Sequence, residues 1–339
     1  MASEGFISKD PQIEDYWRGI ILFGRNVASY KFSLAKSLLE LNPQSGQLIK
    51  LSDLAPVFAK HICEHLKNSP KQTTSASSTF LESCRRYGIE GDDKAKLAEE
   101  TVRLGFNNVI DAFHVVGSGE VQRKFYIDER KQNGGIRITD EFSQLVNGVQ
   151  SSNLAVEVES RWRLVERAWE LGVSRGLIAV EHDQSNNQLF TFDSSKRRKD
   201  VTSCRSALNG YQKGKCFYCF TDIRVDDGSD VDVDHFFPDA LKKEEFKQID
   251  GVWNLVLSCI RCNRGVGGKF DKIPHINLLA RLSRRNEYLI GSHHPLRETL
   301  IRQTGTTESE RKTFLNDFYN RAKARLFHDW SPIDEDEDF

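Results

Sequence analysis

The chain has 339 residues, 48 Lys plus Arg against 49 Asp plus Glu, with 38% hydrophobic and 29% charged residues. That balance excludes a disordered polyelectrolyte, and the length predicts two or three domains, each able to bury its own core. The longest apolar runs, such as GIILFG at 19–24, fall far short of the roughly 18 residues needed to span a bilayer, and MASEGFISKD lacks a secretion signal, so a cytoplasmic protein with no membrane role is expected.

Residues 12–41 carry apolar side chains at helical spacing, from Ile20 to Leu39, with a break near Gly24 or Ser29 and a stop at Asn42-Pro43. A second helix is predicted over 51–67, with Ser52 as its cap and Pro56 in its first turn, followed by a solvated, mobile linker at 69–79, SPKQTTSASST. Helices follow over 92–104 and 107–115. Lys124–Ile127 and Ile136–Ile138 flank Asn133-Gly134-Gly135, a hairpin signal. Residues 153–175 form a long amphipathic helix containing Trp162 and Trp169, and Leu177–Glu181 with Gln188–Phe192 suggest a second hairpin. This order is compatible with a winged helix, although a mixed helical scaffold with two surface ribbons is the simpler reading. Gly117-Ser118-Gly119 is followed by Gln122 where a dinucleotide fingerprint needs its third glycine, which removes that reading.

Charge is uneven along the chain. Residues 1–192 hold 23 basic and 25 acidic side chains, residues 193–333 hold 25 and 19, and the tail DEDED at 334–338 supplies five more acids. A basic C-terminal half is what polyanions seek, and it is equally an ordinary solvated surface.

Of the seven cysteines, Cys63, Cys84 and Cys204 are isolated and read as core residues. The other four form two C-x-x-C pairs, Cys216/Cys219 and Cys259/Cys262, separated by 39 residues. Two such turns supply four thiolates at the tetrahedral geometry Zn²⁺ prefers, whereas a redox motif needs no second copy. Between the pairs, Val231–His235 alternates like a strand and is followed by Phe236-Phe237-Pro238. A second strand, Asn254–Ser258, leads into the second pair, and Ile260–Gly268 starts a helix.

This strand, loop, strand, helix segment, Lys215–Pro274, resembles the HNH nucleases of the ββα-metal superfamily over about 60 residues. Asp234-His235 matches the family's Asp-His pair, Asn254 its middle asparagine and Asn263 its final His-or-Asn, and the flanking cysteine pairs are typical of zinc-bearing members. The resemblance implies that His235 is the general base for water and that Asn254 ties the loop across the strands and orients it. It implies further that Asp234 and Asn263 are ligands of one catalytic Mg²⁺ or Mn²⁺, with Zn²⁺ structural at the four cysteines. Strand alternation points Asp234 and His235 to opposite sides unless the chain bends. Arg264 and Lys269 are the candidate nucleic-acid contacts, ahead of the other basic residues at 196–199, Arg261, Lys272, Arg281, Arg284 and Arg285. Phe217, Tyr218 and Phe220 read as core of the first knuckle, and His293-His294 is assigned no function.

The expected molecule is an α+β protein: a mainly helical domain at 1–195, an HNH module with zinc knuckles at 196–275, a helical extension at 276–333 and an acidic tail at 334–339. Its expected activity is metal-dependent endonucleolytic cleavage of DNA, by nicking or double-strand scission, with RNA kept open as substrate. Its organisation is similar to stand-alone effectors of bacterial anti-phage defence, of which the nuclease of type II Zorya systems is one kind, so partners docking on the N-terminal domain are also expected. The alternatives are a zinc-stabilised nucleic-acid-binding protein without turnover and a scaffold component.

Overall fold

The computed structural model describes residues 11–24, 27–75, 77–89, 93–116, 119–170, 181–183, 188–192, 198–225, 230–242, 246, 248–291 and 296–332. Helix and strand are mixed, the α+β class expected, and the chain divides into two compact units, Asp10–Gly172 and Val173–Phe339. Among the described residues no helix is long and apolar enough to cross a membrane.

The first unit packs helices Ile13–Phe23, Tyr30–Leu41, Leu51–Asn68 and Ser151–Glu170 around a core that includes Trp17, Phe32, Phe58 and Trp162, all essentially fully buried. The expected break after residue 23 and the stop at Asn42 are both present, Asn42 adopting the left-handed conformation (φ 44°) that ends a helix. The predicted hairpin is the strand pair Tyr126–Glu129 and Gly135–Ile138, to which Leu48–Lys50 adds a third antiparallel strand. A Cβ on Gly135 would lie 2.1 Å from the Ile49 carbonyl oxygen, so only glycine allows that approach.

Several expectations are corrected. Pro56 lies in the interior of its helix rather than in the first turn. The stretch after it is not wholly a solvated linker. Gln72 is buried, donating to the Ser69 carbonyl and Glu166 and accepting from the Trp162 indole at 2.9 Å. Helix Lys94–Glu100 runs into a wide π turn at Thr101–Gly105, a second π turn spans Cys84–Ile89, and the 107–115 helix shrinks to Val109–Ala112. Residues 171–175 of the expected long helix lie outside the described residues.

The second unit opens with a three-stranded antiparallel sheet, Glu181–Asp183, Gln188–Phe192 and Arg198–Ser203, followed by helix Cys204–Gln212 and the cysteine-bearing segment. Helices Ile276–Gly291, Leu296–Thr304 and Glu308–Lys323 complete it. The division at 172/173 falls earlier than residue 195, and 276–332 belong to the same unit as the cysteines. The reason is burial. Arg281 and Arg285, expected on the surface, are nearly inaccessible: Arg281 donates to the Phe217 and Tyr218 carbonyls, and Arg285 to that of Trp253 at 2.9 Å. The loop between the two cysteine pairs is backed by Phe314 and Phe318, whose rings lie 4.9 Å from Trp253. Lys196-Arg197, His293-His294 and the acidic tail lie outside the described residues.

Candidate functional site

Val231–His235 pairs antiparallel with Leu255–Cys259, His235 opposite Leu255 and Val231 opposite Cys259, and helix Ile260–Arg264 follows at once. The strand, loop, strand, helix order matches the sequence reading, with a shorter helix. It stops at Arg264 because the chain turns back through Gly265 to Gly268, with Gly267 at φ 76° and the Lys269 and Phe270 amides returning to the Cys262 and Asn263 carbonyls. The glycines therefore end the helix.

The four sulfurs of Cys216, Cys219, Cys259 and Cys262 lie within 4.8 Å of one another. Cys219 and Cys259 are 3.8 Å apart, and a tetrahedron with Zn–S near ~2.3 Å has edges of about 3.8 Å. Both turns are held by backbone. In the first, Phe220 takes a left-handed conformation (φ 58°) while its amide donates to the Cys216 carbonyl. In the second, Cys259 caps the helix and accepts the Cys262 amide at 3.5 Å. Hydrogen bonding among the thiols, that of Cys216 foremost, draws Cys219 down and Cys259 to about 7 and pushes Cys262 up, while burial foremost raises Cys216, so two of the four sulfurs favour the thiolate and two hold their protons. The cluster is compatible with a structural zinc site. Phe217 and Tyr218 are buried in its knuckle as expected, and the Arg281 guanidinium lies 4.3 Å over the Phe220 ring.

Asn254 is completely buried. Its Oδ1 accepts the Phe237 amide at 2.8 Å, and its Nδ2 donates to the carbonyls of Phe237 (3.0 Å) and Ile249 (2.8 Å). One side chain thus clamps the start of the loop, just after His235, to its end, just before Asp250. His235 itself is buried, with Nε2 3.3 Å from Asp250 Oδ1, and ligand atoms of His235, Asp239 and Asp250 lie within 4.8 Å of one another. Burial lowers the His235 pKa, while Asp234, Asp250 and Asp239 pull it back upward.

Asp234 and His235 address different partners, as strand alternation predicts. Asp234 Oδ2 accepts from the Tyr218 hydroxyl at 2.6 Å, and its Oδ1 lies 3.2 Å from Lys269 Nζ. Burial raises its pKa against these two donors. Asn263 instead donates to Asp232 at 3.0 Å, and Arg264 binds the same carboxylate at 2.8 Å. Asp232 is thereby held below its ordinary range in spite of burial. With both Asp234 oxygens taken by donors, one of them an ammonium, Asp234 and Asn263 do not present a joint cradle for a divalent ion. Lys269, read from sequence as a nucleic-acid contact, is 1% exposed and serves Asp234 instead. Arg264 is exposed.

Asp232, Asp239 and Asp250 were not singled out from the sequence, and Tyr218 was read there only as core of the first knuckle. The Asp at 232, two residues before Asp234 on a strand and so on the same face, is the one of these with a local signal. No family model matches the chain, and no curated protein or solved structure matches it.

Proposed function

We propose that the second unit hydrolyses phosphodiester bonds of DNA at His235, on an HNH-type module stapled by Zn²⁺ at Cys216, Cys219, Cys259 and Cys262. The observation that carries this reading is the Asn254 clamp: a strand, loop, strand, helix segment in which the middle asparagine of the motif fixes the loop beside a buried histidine. In this reading His235 takes a proton from the attacking water. A burial-lowered pKa keeps it neutral, and so basic, at neutral pH. Arg264, exposed beside the module, contacts backbone phosphate without reading bases. Catalytic Mg²⁺ or Mn²⁺ is implied by the resemblance, but Asp234 and Asn263 as arranged do not fit it. A setting in anti-phage defence, with partner docking through residues 10–172, rests on the resemblance alone.

The paired Asp234–Lys269 favours a second reading, a zinc-stabilised nucleic-acid-binding module without turnover. End-labelled single-stranded DNA, duplex DNA and RNA, each incubated with the protein in Mg²⁺ or Mn²⁺, separate the two. Cleavage of DNA to 5′-phosphate and 3′-hydroxyl ends supports the nuclease. Retention of DNA without cleavage in either metal supports the binding module.

A further inference from the structure

We propose that His235, Asp239 and Asp250 form a second metal site, separate from the four cysteines, which takes one divalent transition ion of the zinc kind on His235 Nε2 and one oxygen of each carboxylate, and that a filled site withholds His235 from its role as base. The site itself stands on geometry; only its effect on cleavage rests on the reading of His235 as the base.

The ligand atoms of the three residues lie within 4.8 Å of one another, and Asp250 Oδ1 comes to 3.3 Å from His235 Nε2. That approach is not a hydrogen bond: Asp250 Oδ1 is shut off from water and accepts from no donor, and Asp239 Oδ1 is in the same condition. A carboxylate oxygen taken out of water without a donor is costly, and a bound cation satisfies it. Two ligands held by bonds of ~2.1 Å at a tetrahedral centre are about 3.4 Å apart, so the 3.3 Å spacing is that of a coordination edge. The donor set selects the ion: an imidazole nitrogen with two carboxylates suits Zn²⁺ and its neighbours, whereas Mg²⁺ prefers oxygen and keeps its waters. Lys242 Nζ lies 2.8 Å from Asp250 Oδ2 and 3.7 Å from Asp239 Oδ1. It supports the outer oxygen of Asp250, as outer partners of metal ligands do, and one ammonium against two carboxylates leaves the cluster negative.

The three residues come from both ends of one loop. His235 ends its strand, Asp239 opens the turn Asp239–Leu241, and Asp250 lies where the loop returns. Asn254 joins the two ends, binding Phe237 on one side and the Ile249 carbonyl next to Asp250 on the other. Gly251 keeps the return tight, since a Cβ there would lie 2.5 Å from the Trp253 ring. The clamp thus sets the ligand positions. With Nε2 on a metal, a neutral imidazole carries its one proton on Nδ1, so neither nitrogen has a lone pair left to take a proton from water.

The test is equilibrium dialysis of the full chain against Zn²⁺, with metal counted per chain and the folding of each variant checked by circular dichroism. Wild type is expected to hold one zinc more than His235→Ala, Asp239→Ala or Asp250→Ala; Asp239→Asn, a weaker ligand, replaces the alanine variant if that chain does not fold. Equal counts in wild type and the folded variants, or displacement of the extra zinc by equimolar Mg²⁺, overturn the site. In plasmid nicking with Mg²⁺, added Zn²⁺ is expected to inhibit wild type, and the concentration that halves the rate to rise at least about 10-fold in Asp239→Ala, the lower end of the range for disturbing a metal's surroundings. Extra zinc that binds while nicking continues undiminished overturns the competition for His235. Extra zinc bound by a protein that nicks no DNA keeps the site and removes the nuclease reading.

Discussion

Asn254 and His65 show two ways in which a single buried polar side chain does structural work. Replacing Asn254 with Ala strips partners from the Phe237 amide and the Phe237 and Ile249 carbonyls. Each buried group left unpaired costs about 1–3 kcal/mol, so urea unfolding of Asn254→Ala is expected at clearly lower midpoint; an unchanged midpoint would mean the clamp carries no stability. His65 lies flat on Trp162, ring centroids 3.5 Å apart, with Nδ1 2.7 Å from Glu166 and Nε2 3.1 Å from Glu159. Burial pushes its pKa down, but the two carboxylates outweigh that and hold it above the ordinary value. A raised folded pKa means that the stabilisation is complete below the unfolded value near ~6.5 and is lost as pH rises through the folded one. The melting temperature of wild type relative to His65→Gln is therefore expected to narrow as pH rises above about 6.5, and a gap that widens would contradict the protonated clasp. Single residues were only partly legible in the sequence. The Asp-His pair, Asn254 and the cysteines stand out because their spacing is local. Asp250 does not, and Lys269 was read as a nucleic-acid contact rather than as the partner of Asp234, because their partners are set by how the loop returns and by the Gly265–Gly268 reversal.

Among elements, the cysteine turns and the helix Ile276–Gly291 form one device. Arg281 reaches from that helix to two carbonyls of the first knuckle and stacks on Phe220, so the helix finishes the scaffold of the four-cysteine cluster. Metal binding and folding are coupled in such sites. Cys259→Ser is expected to lose zinc and melt at lower temperature, and Arg281→Met to release zinc to a chelator faster than wild type while still binding one ion per chain. Normal zinc content and melting in Cys259→Ser would remove the four-cysteine assignment. The strands and the helix after them were readable because alternation, proline and glycine mark their ends. The π turns at Cys84–Ile89 and Thr101–Gly105 were not, since their local spacing is that of an ordinary helix. Nor did charge reveal that Arg281 and Arg285 are interior: an arginine written on an amphipathic helix looks the same whether it meets water or backbone carbonyls.

For the whole molecule, the chemistry-bearing residues fall in one unit. His235, Asn254, Asp250 and the four cysteines all lie in Val173–Phe339, whereas Asp10–Gly172 has its own core and none of the motif. The basic excess over 193–333 lies in that same unit, so DNA binding is expected to weaken steeply as salt rises; binding insensitive to salt would point to a protein partner instead. The sequence conveyed the two-part character through its uneven charge and clustered motifs, but misplaced the boundary, because the C-terminal helices read as an appendage when Arg281, Arg285 and Phe318 bury them against the module. The measurement that bears most directly on the central claim is conversion of supercoiled plasmid by wild type and His235→Ala, matched for zinc content, in Mg²⁺ or Mn²⁺ and in EDTA. Nicking or linearisation by wild type, lost in His235→Ala while DNA binding persists, is the predicted result. Equal cleavage by the two proteins would contradict the assignment of His235 as the base.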